Sequence, residues 1–112
     1  MAYDESLAKR IRKLIPAQAA AAVSEKKMFG GLAFLVHGNM AIAASGQGGL
    51  LVRVDPAQTD ALLASTKATI MTMRGRNMAG WLRVSTEDVT NDSELLSWVE
   101  LGISYAESLE PK

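Results

Sequence analysis

The run GLAFLVHGNMAIAA, Gly31 to Ala44, constrains the fold more than any other stretch. Two apolar segments flank Gly38-Asn39, a dipeptide that supports a two-residue hairpin because both residues tolerate positive φ. A turn at those residues sets His37 opposite Met40, Val36 opposite Ala41, Leu35 opposite Ile42 and Phe34 opposite Ala43. Leu32, Phe34 and Val36 then share one side, where the small partners Ala41 and Ala43 leave room for a helix. Leu35, Met40 and Ile42 make the other side apolar too. A strand pair that is apolar on both sides belongs inside a sheet rather than at its edge.

The flanks supply helices and further strands. Leu7, Ile11, Leu14 and Ile15 recur at helical spacing, which predicts a helix from about Tyr3 to Ile15. Its acids come first and its bases last, as the helix dipole favours, and Pro16 ends or bends it. AQAAAAV, after Pro16, reads either as a buried helical turn or as a connector. SGQGG is a loop, and LLVRV, Leu50 to Val54, a strand. Asp55 and Pro56 form a helix start, N-cap then first position, with the helix running to about Ala64. TIMTM is a short strand, GRNMAG a loop or irregular turn, WLRVS a strand, and 86–89 a short helical turn. A last helix starts near Asn91 to Ser93 and buries Leu95, Trp98, Val99, Gly102, Ile103 and Ala106. The expected fold class is α+β: one two-layer domain, 1–112, with an antiparallel sheet packed against N-terminal, middle and C-terminal helices.

Composition narrows the function classes. Hydrophobic residues reach 48%, enough for a core and against global disorder. The chain has no cysteine, so disulfides, thiolate metal sites and a Cys nucleophile are excluded. It has neither a spanning apolar run nor a signal-peptide pattern, so the expectation is a cytoplasmic protein without a membrane partner. Net charge is zero but uneven: residues 1–27 carry +3, 28–84 carry +3 and 85–112 carry −6. The acidic last quarter either neutralises the basic body or polarises its surface.

Few residues offer chemistry. ASGQGGLL has a G-x-G-G loop, but it leads into a strand, whereas a dinucleotide fingerprint leads into a helix. His37 is the single histidine, at the hairpin turn, far from any carboxylate in sequence. Acids from Asp88 to Glu94 match no EF-hand spacing and read as caps and solvated charge. No metal and no cofactor is expected. The most suggestive polar set is basic: Arg74 and Arg76 flank Gly75, Arg53 and Arg83 sit on neighbouring strands, and Lys26 and Lys27 precede the Met28-Phe29 pair. An Arg-Gly-Arg turn can grip phosphate through its guanidinium forks. Trp81 beside it can stack on a base or pack into the core.

EKKMFGGLAFLVHGNMA resembles the signature of the TfoX N-terminal domain family. LLVRV, MTMRGRNMAGWLRV and the terminal LLSWVELGISYAESL follow in the same order and spacing, so the resemblance spans nearly the whole chain. It implies an antiparallel sheet packed on helices. Phe29 would anchor in the core and Gly30-Gly31 permit a tight turn, with Met28, Phe34, Gly38, Asn39, Met40, Gly75, Gly80 and Trp81 as further architectural positions. It carries over no catalytic residue. Family members are associated with regulation of natural competence alongside a transcription activator, and longer members add a C-terminal domain; the expectation for these 112 residues is a stand-alone single-domain member.

Three functional readings follow. The first is a non-enzymatic regulatory domain that works through a protein partner. The second is a nucleic-acid module, which needs the six basic residues to converge on one face. The third is a small-ligand protein or enzyme, which needs a concave site with converging polar groups. An apolar sheet with more face than its helices cover also makes a homodimer an expectation.

Overall fold

A computed structural model of the chain describes residues 4–28, 30–46 and 48–111, the side chain of Gln18 excepted. Its centre is an antiparallel sheet of six strands: β1 (Val23–Met28), β2 (Gly31–Val36), β3 (Asn39–Ala44), β4 (Leu50–Arg53), β5 (Thr69–Met73) and β6 (Arg76–Val84). The spatial order is β1-β2-β3-β4-β6-β5, so the β2–β3 pair is interior, as its two apolar sides require. Helices α1 (Glu5–Leu14), α3 (Thr59–Ser65) and α4 (Asp92–Ser108) pack on one face, and α2 (Ala17–Ala20) is a single turn after Pro16. The fold is α+β, as expected.

The two long helices start where a side chain caps them. Asp4 accepts from the Leu7 amide at 3.2 Å, and Asn91 from the Ser93 amide at 2.7 Å. Helix α1 ends at Leu14, with Ile15 already extended, because Pro16 disfavours helical geometry in the residue before it. Asp55 accepts from the Ala57 amide at 2.9 Å, but the turn it caps, Pro56–Gln58, is 3-10 before the chain enters α3. Helix α4 buries the six residues its periodicity marks. Gly102 sits among them over β3: a Cβ there would lie 2.5 Å from the Ala41 carbonyl oxygen.

The hairpin differs from the sequence expectation by one residue. The turn is His37-Gly38, at φ 50° and 84°, and Val36 pairs with Asn39. Asn39 is drawn inside instead: it is 2% exposed, and its side-chain amide donates to the Glu110 carbonyl at 2.8 Å. Left-handed geometry then falls to His37, a residue type that tolerates it better than most. A bulge between Phe34 and Leu35 follows, so Leu35 pairs with Met40, Phe34 with Ile42 and Ala33 with Ala43. Ile42 therefore joins the helix side with Ala41 and Ala44, and Ala43 moves to the opposite face.

Two other segments differ. Strand β1 has no pattern of its own to announce it, because its middle, Ser24 to Lys27, is wholly polar and exposed and gives no alternation to read. GRNMAG is mostly strand: Arg74-Gly75, at φ 55° and 78°, is a two-residue turn, and Met73 pairs with Arg76. Gly80 breaks the β6 regularity at φ 86°, where its amide donates to the buried Thr59 hydroxyl at 2.8 Å. The Gly30-Gly31 pair also finds its reason. Gly30 turns the chain at φ 74°, and a Cβ on Gly31 would overlap the Ala44 carbonyl oxygen of the same sheet. Phe29 and its expected anchoring lie outside the described residues.

Arginines of α1 tie the layers together. Arg10 donates to Asp92 at 2.9 Å and to the Val89 carbonyl at 2.7 Å, so the acidic last quarter does neutralise part of the basic body. Arg12 makes a two-pronged bond to Glu25 of β1, at 2.6 and 2.8 Å. That bond holds the Glu25 carboxyl below its ordinary value, against a smaller opposing effect of burial. A carboxyl lowered on folding stabilises the fold above its unfolded pKa, and the contribution disappears as pH falls through the lowered value. A carbon-detected NMR titration of Glu25 should show the lowered midpoint. Arg12→Gln should raise it towards the ordinary value, and no change would show that the pair does not hold in solution.

Candidate ligand site on the concave sheet face

Opposite residues of paired strands point to the same side of a sheet, so the register assigns every strand residue to a face. One face packs on the helices through Leu32, Phe34, Val36, Ile42, Leu50, Val52, Leu82 and Val84. The other carries a second apolar cluster: Ala33, Leu35, Met40, Ala43, Leu51 and Met71, with Met28, Met78 and Trp81 against it. Every member is a strand residue. Even so, Leu51 is only 2% exposed and Met71 6%.

Curvature explains how a face without helices is buried. In a flat sheet, five strand steps would hold β1 and β5 about 24 Å apart. Here Met28 of β1 and Met71, Thr72 and Met73 of β5 line one cavity of about 310 Å³. The two edges therefore curl towards each other, helped by bulges in β3, at Ala41, and in β6, between Asn77 and Leu82. Ala43 and Leu51 form the floor, and Ser45 and Arg83 complete the lining. The Arg83 guanidinium donates to the Ser45 hydroxyl at 3.4 Å, and Ser45 is 8% exposed. Converging polar groups over an apolar floor are the usual form of a small-molecule site.

The electrostatics of this face are one-sided. Among the described residues the ion pairs are Arg10–Asp92, Arg12–Glu25 and Lys67–Asp88, so no described carboxylate lies within 4.0 Å of Arg83. The six strands contain one acidic residue, Glu25, and it faces α1 through Arg12. The register runs Lys26–Ala33–Ala43–Leu51–Arg83 across five strands, which puts Lys26 and Arg83 on the same concave face.

The other basic residues are placed differently. Lys27 pairs with Leu32 and so lies on the helix side of the β1 edge. Arg53 sits between two rings, 5.2 Å from Trp81 and 5.7 Å from Tyr105, and is half-buried there. Trp81 is thus an aromatic partner to Arg53 at the rim of the second cluster. Arg74 is exposed at the β5–β6 turn, Arg76 just after it opposite Met73 on the concave side, and His37 is exposed at its own turn. No group of three or more potential metal-binding side chains occurs among the described residues.

A scan against protein-family models matches the TfoX N-terminal domain over residues 17–106. The chain belongs to the TfoX N-terminal domain family. A search of the curated proteins returned no match. The match covers α2 to most of α4, so every residue lining the concave cavity lies inside the TfoX N-terminal domain. Among the described residues no helix is long and apolar enough to cross a membrane.

Of the lining residues, sequence reading marked Arg83 for its charge and Met28 for the family signature. It passed over Ala43, Ser45, Leu51, Met71, Thr72 and Met73. The alternation of LLVRV does separate Leu51 and Arg53 from Leu50, Val52 and Val54. No local signal shows that the two sheet edges meet.

Proposed function

We propose that this TfoX N-terminal domain is a non-enzymatic regulatory module that works by binding: a small ligand on its concave sheet face, and a protein partner as its output. The observation that carries the reading is the methionine-lined cavity with Arg83 and Ser45 at its polar side. Unbranched methionine side chains adapt to what they contact, which suits a receptor surface. The family supplies the regulatory context, since its members are associated with control of competence genes alongside a transcription activator.

The test is a narrowed cavity. Ala43→Leu adds three carbons, a branched isopropyl group, to the floor while leaving Arg83 in place. The anionic fluorescent dye anilinonaphthalene sulfonate should bind the native protein saturably at one site, and Ala43→Leu should weaken it about ten-fold or more, beyond 1.4 kcal/mol. Equal binding by both proteins would place the dye elsewhere and remove the support for this site.

The six basic residues do not converge on one face, so the second reading, nucleic-acid binding, rests on Arg74 and Arg76 alone, exposed at one turn. Labelled duplex and single-stranded DNA, followed by anisotropy at ~50 and ~200 mM salt, decides it. Binding that falls steeply with salt and disappears in Arg74→Ala/Arg76→Ala would replace the first reading.

A further inference from the structure

We infer that the concave face takes a small amphipathic monocarboxylate, its head on the Arg83 guanidinium and its apolar body over Leu51, Met28 and Met71. This rests on the binding reading above and names the chemistry of the ligand.

Charge gives the head group. A guanidinium carries five N–H donors, and the single described hydrogen bond from the Arg83 side chain uses one of them. Carboxylate is the shape that two parallel guanidinium donors fit. The strands bring no competing acid to this face, because Glu25 points away to Arg12. Lys26, further along the same row, adds positive potential. Of the other strand arginines on this side, Arg53 is held between Trp81 and Tyr105, and Arg76, opposite Met73, is exposed beside the β5–β6 turn outside the lining. The one guanidinium in the lining is enough to pair with one carboxylate.

Volume and lining give the body. A cavity of about 310 Å³ equals roughly ten water volumes at ~30 Å³ each, room for a chain or ring system of about ten heavy atoms. That excludes a duplex or a folded partner from its interior. Met28, Leu51, Met71 and Met73 offer an apolar track without a fixed shape, so an alkyl or aryl tail is accommodated.

The experiment uses the full chain with ¹³C-labelled methionine methyls and three probes: octanoate, octan-1-ol and octylamine. Octanoate should shift the Met28, Met71 and Met73 methyls saturably. Octanol should bind about ten-fold or more weaker, as loss of a charge-assisted bond implies, and octylamine weaker still. Arg83→Gln should bring octanoate down to the affinity of octanol and leave octanol unchanged, while Arg83→Lys should retain part of the difference. Ala43→Leu should weaken both probes, and it keeps the test open if Arg83→Gln fails to fold. Octanol binding as tightly as octanoate at the same methyls would overturn the carboxylate assignment and leave the binding reading standing. Methyls unmoved by any probe would overturn both.

Discussion

Gly102→Leu should lower the unfolding temperature steeply. A Cβ at Gly102 meets backbone on β3, with the Ala41 carbonyl oxygen at 2.5 Å and its carbon at 3.1 Å. Neither is the free end of a side chain that can swing aside. Helix α4 must lift, and with it Leu95, Trp98, Val99, Ile103 and Ala106. Overpacking at a rigid contact costs typically ~1–3 kcal/mol, and the lifted helix loses burial in addition. At about 4–8 °C per kcal/mol, the midpoint should fall by ~10 °C or more in calorimetry. An unchanged midpoint would mean that α4 does not sit this close to β3.

Phe34→Ala should be at least as costly. Phe34 is fully buried at the centre of the helix-side core, on an interior strand. Removing a buried phenyl ring costs about 3–5 kcal/mol, the lost transfer energy plus the cavity left behind. Against a total of roughly 5–15 kcal/mol, that is a large part of the stability. Urea unfolding should show a lower midpoint with the slope unchanged, since the surface exposed on unfolding barely alters. A loss below about 1 kcal/mol would contradict the packing around this ring.

Local pattern reached the helix layer well. The α4 stripe was legible because seventeen residues of 3.6 periodicity leave little choice of face, and both long helices announce their starts with capping side chains. The strands were legible where apolar and polar residues alternate or where a turn dipeptide separates them. The His37-Gly38 turn was not, because what displaces Asn39 inward is a hydrogen bond to Glu110, 71 residues away. Strand β1 was hidden because an edge strand needs no apolar face. The candidate site was half visible. Arg83 stood out by its charge, but a cavity closed by β1 and β5 depends on curvature accumulated over six strands, which no short window contains.

The two tryptophans divide between the two layers. Trp98 is buried under α4 in the helix-side core, while Trp81 stands on the concave side, half-buried beside the Arg53 guanidinium. The sheet is the wall between them. The protein therefore carries an optical probe on each side of that wall. Trp98→Phe leaves an emission that reports the concave side, and Trp81→Phe leaves one that reports the helical side. Cooperativity between the two cores becomes a quantity that two unfolding curves can be compared to read.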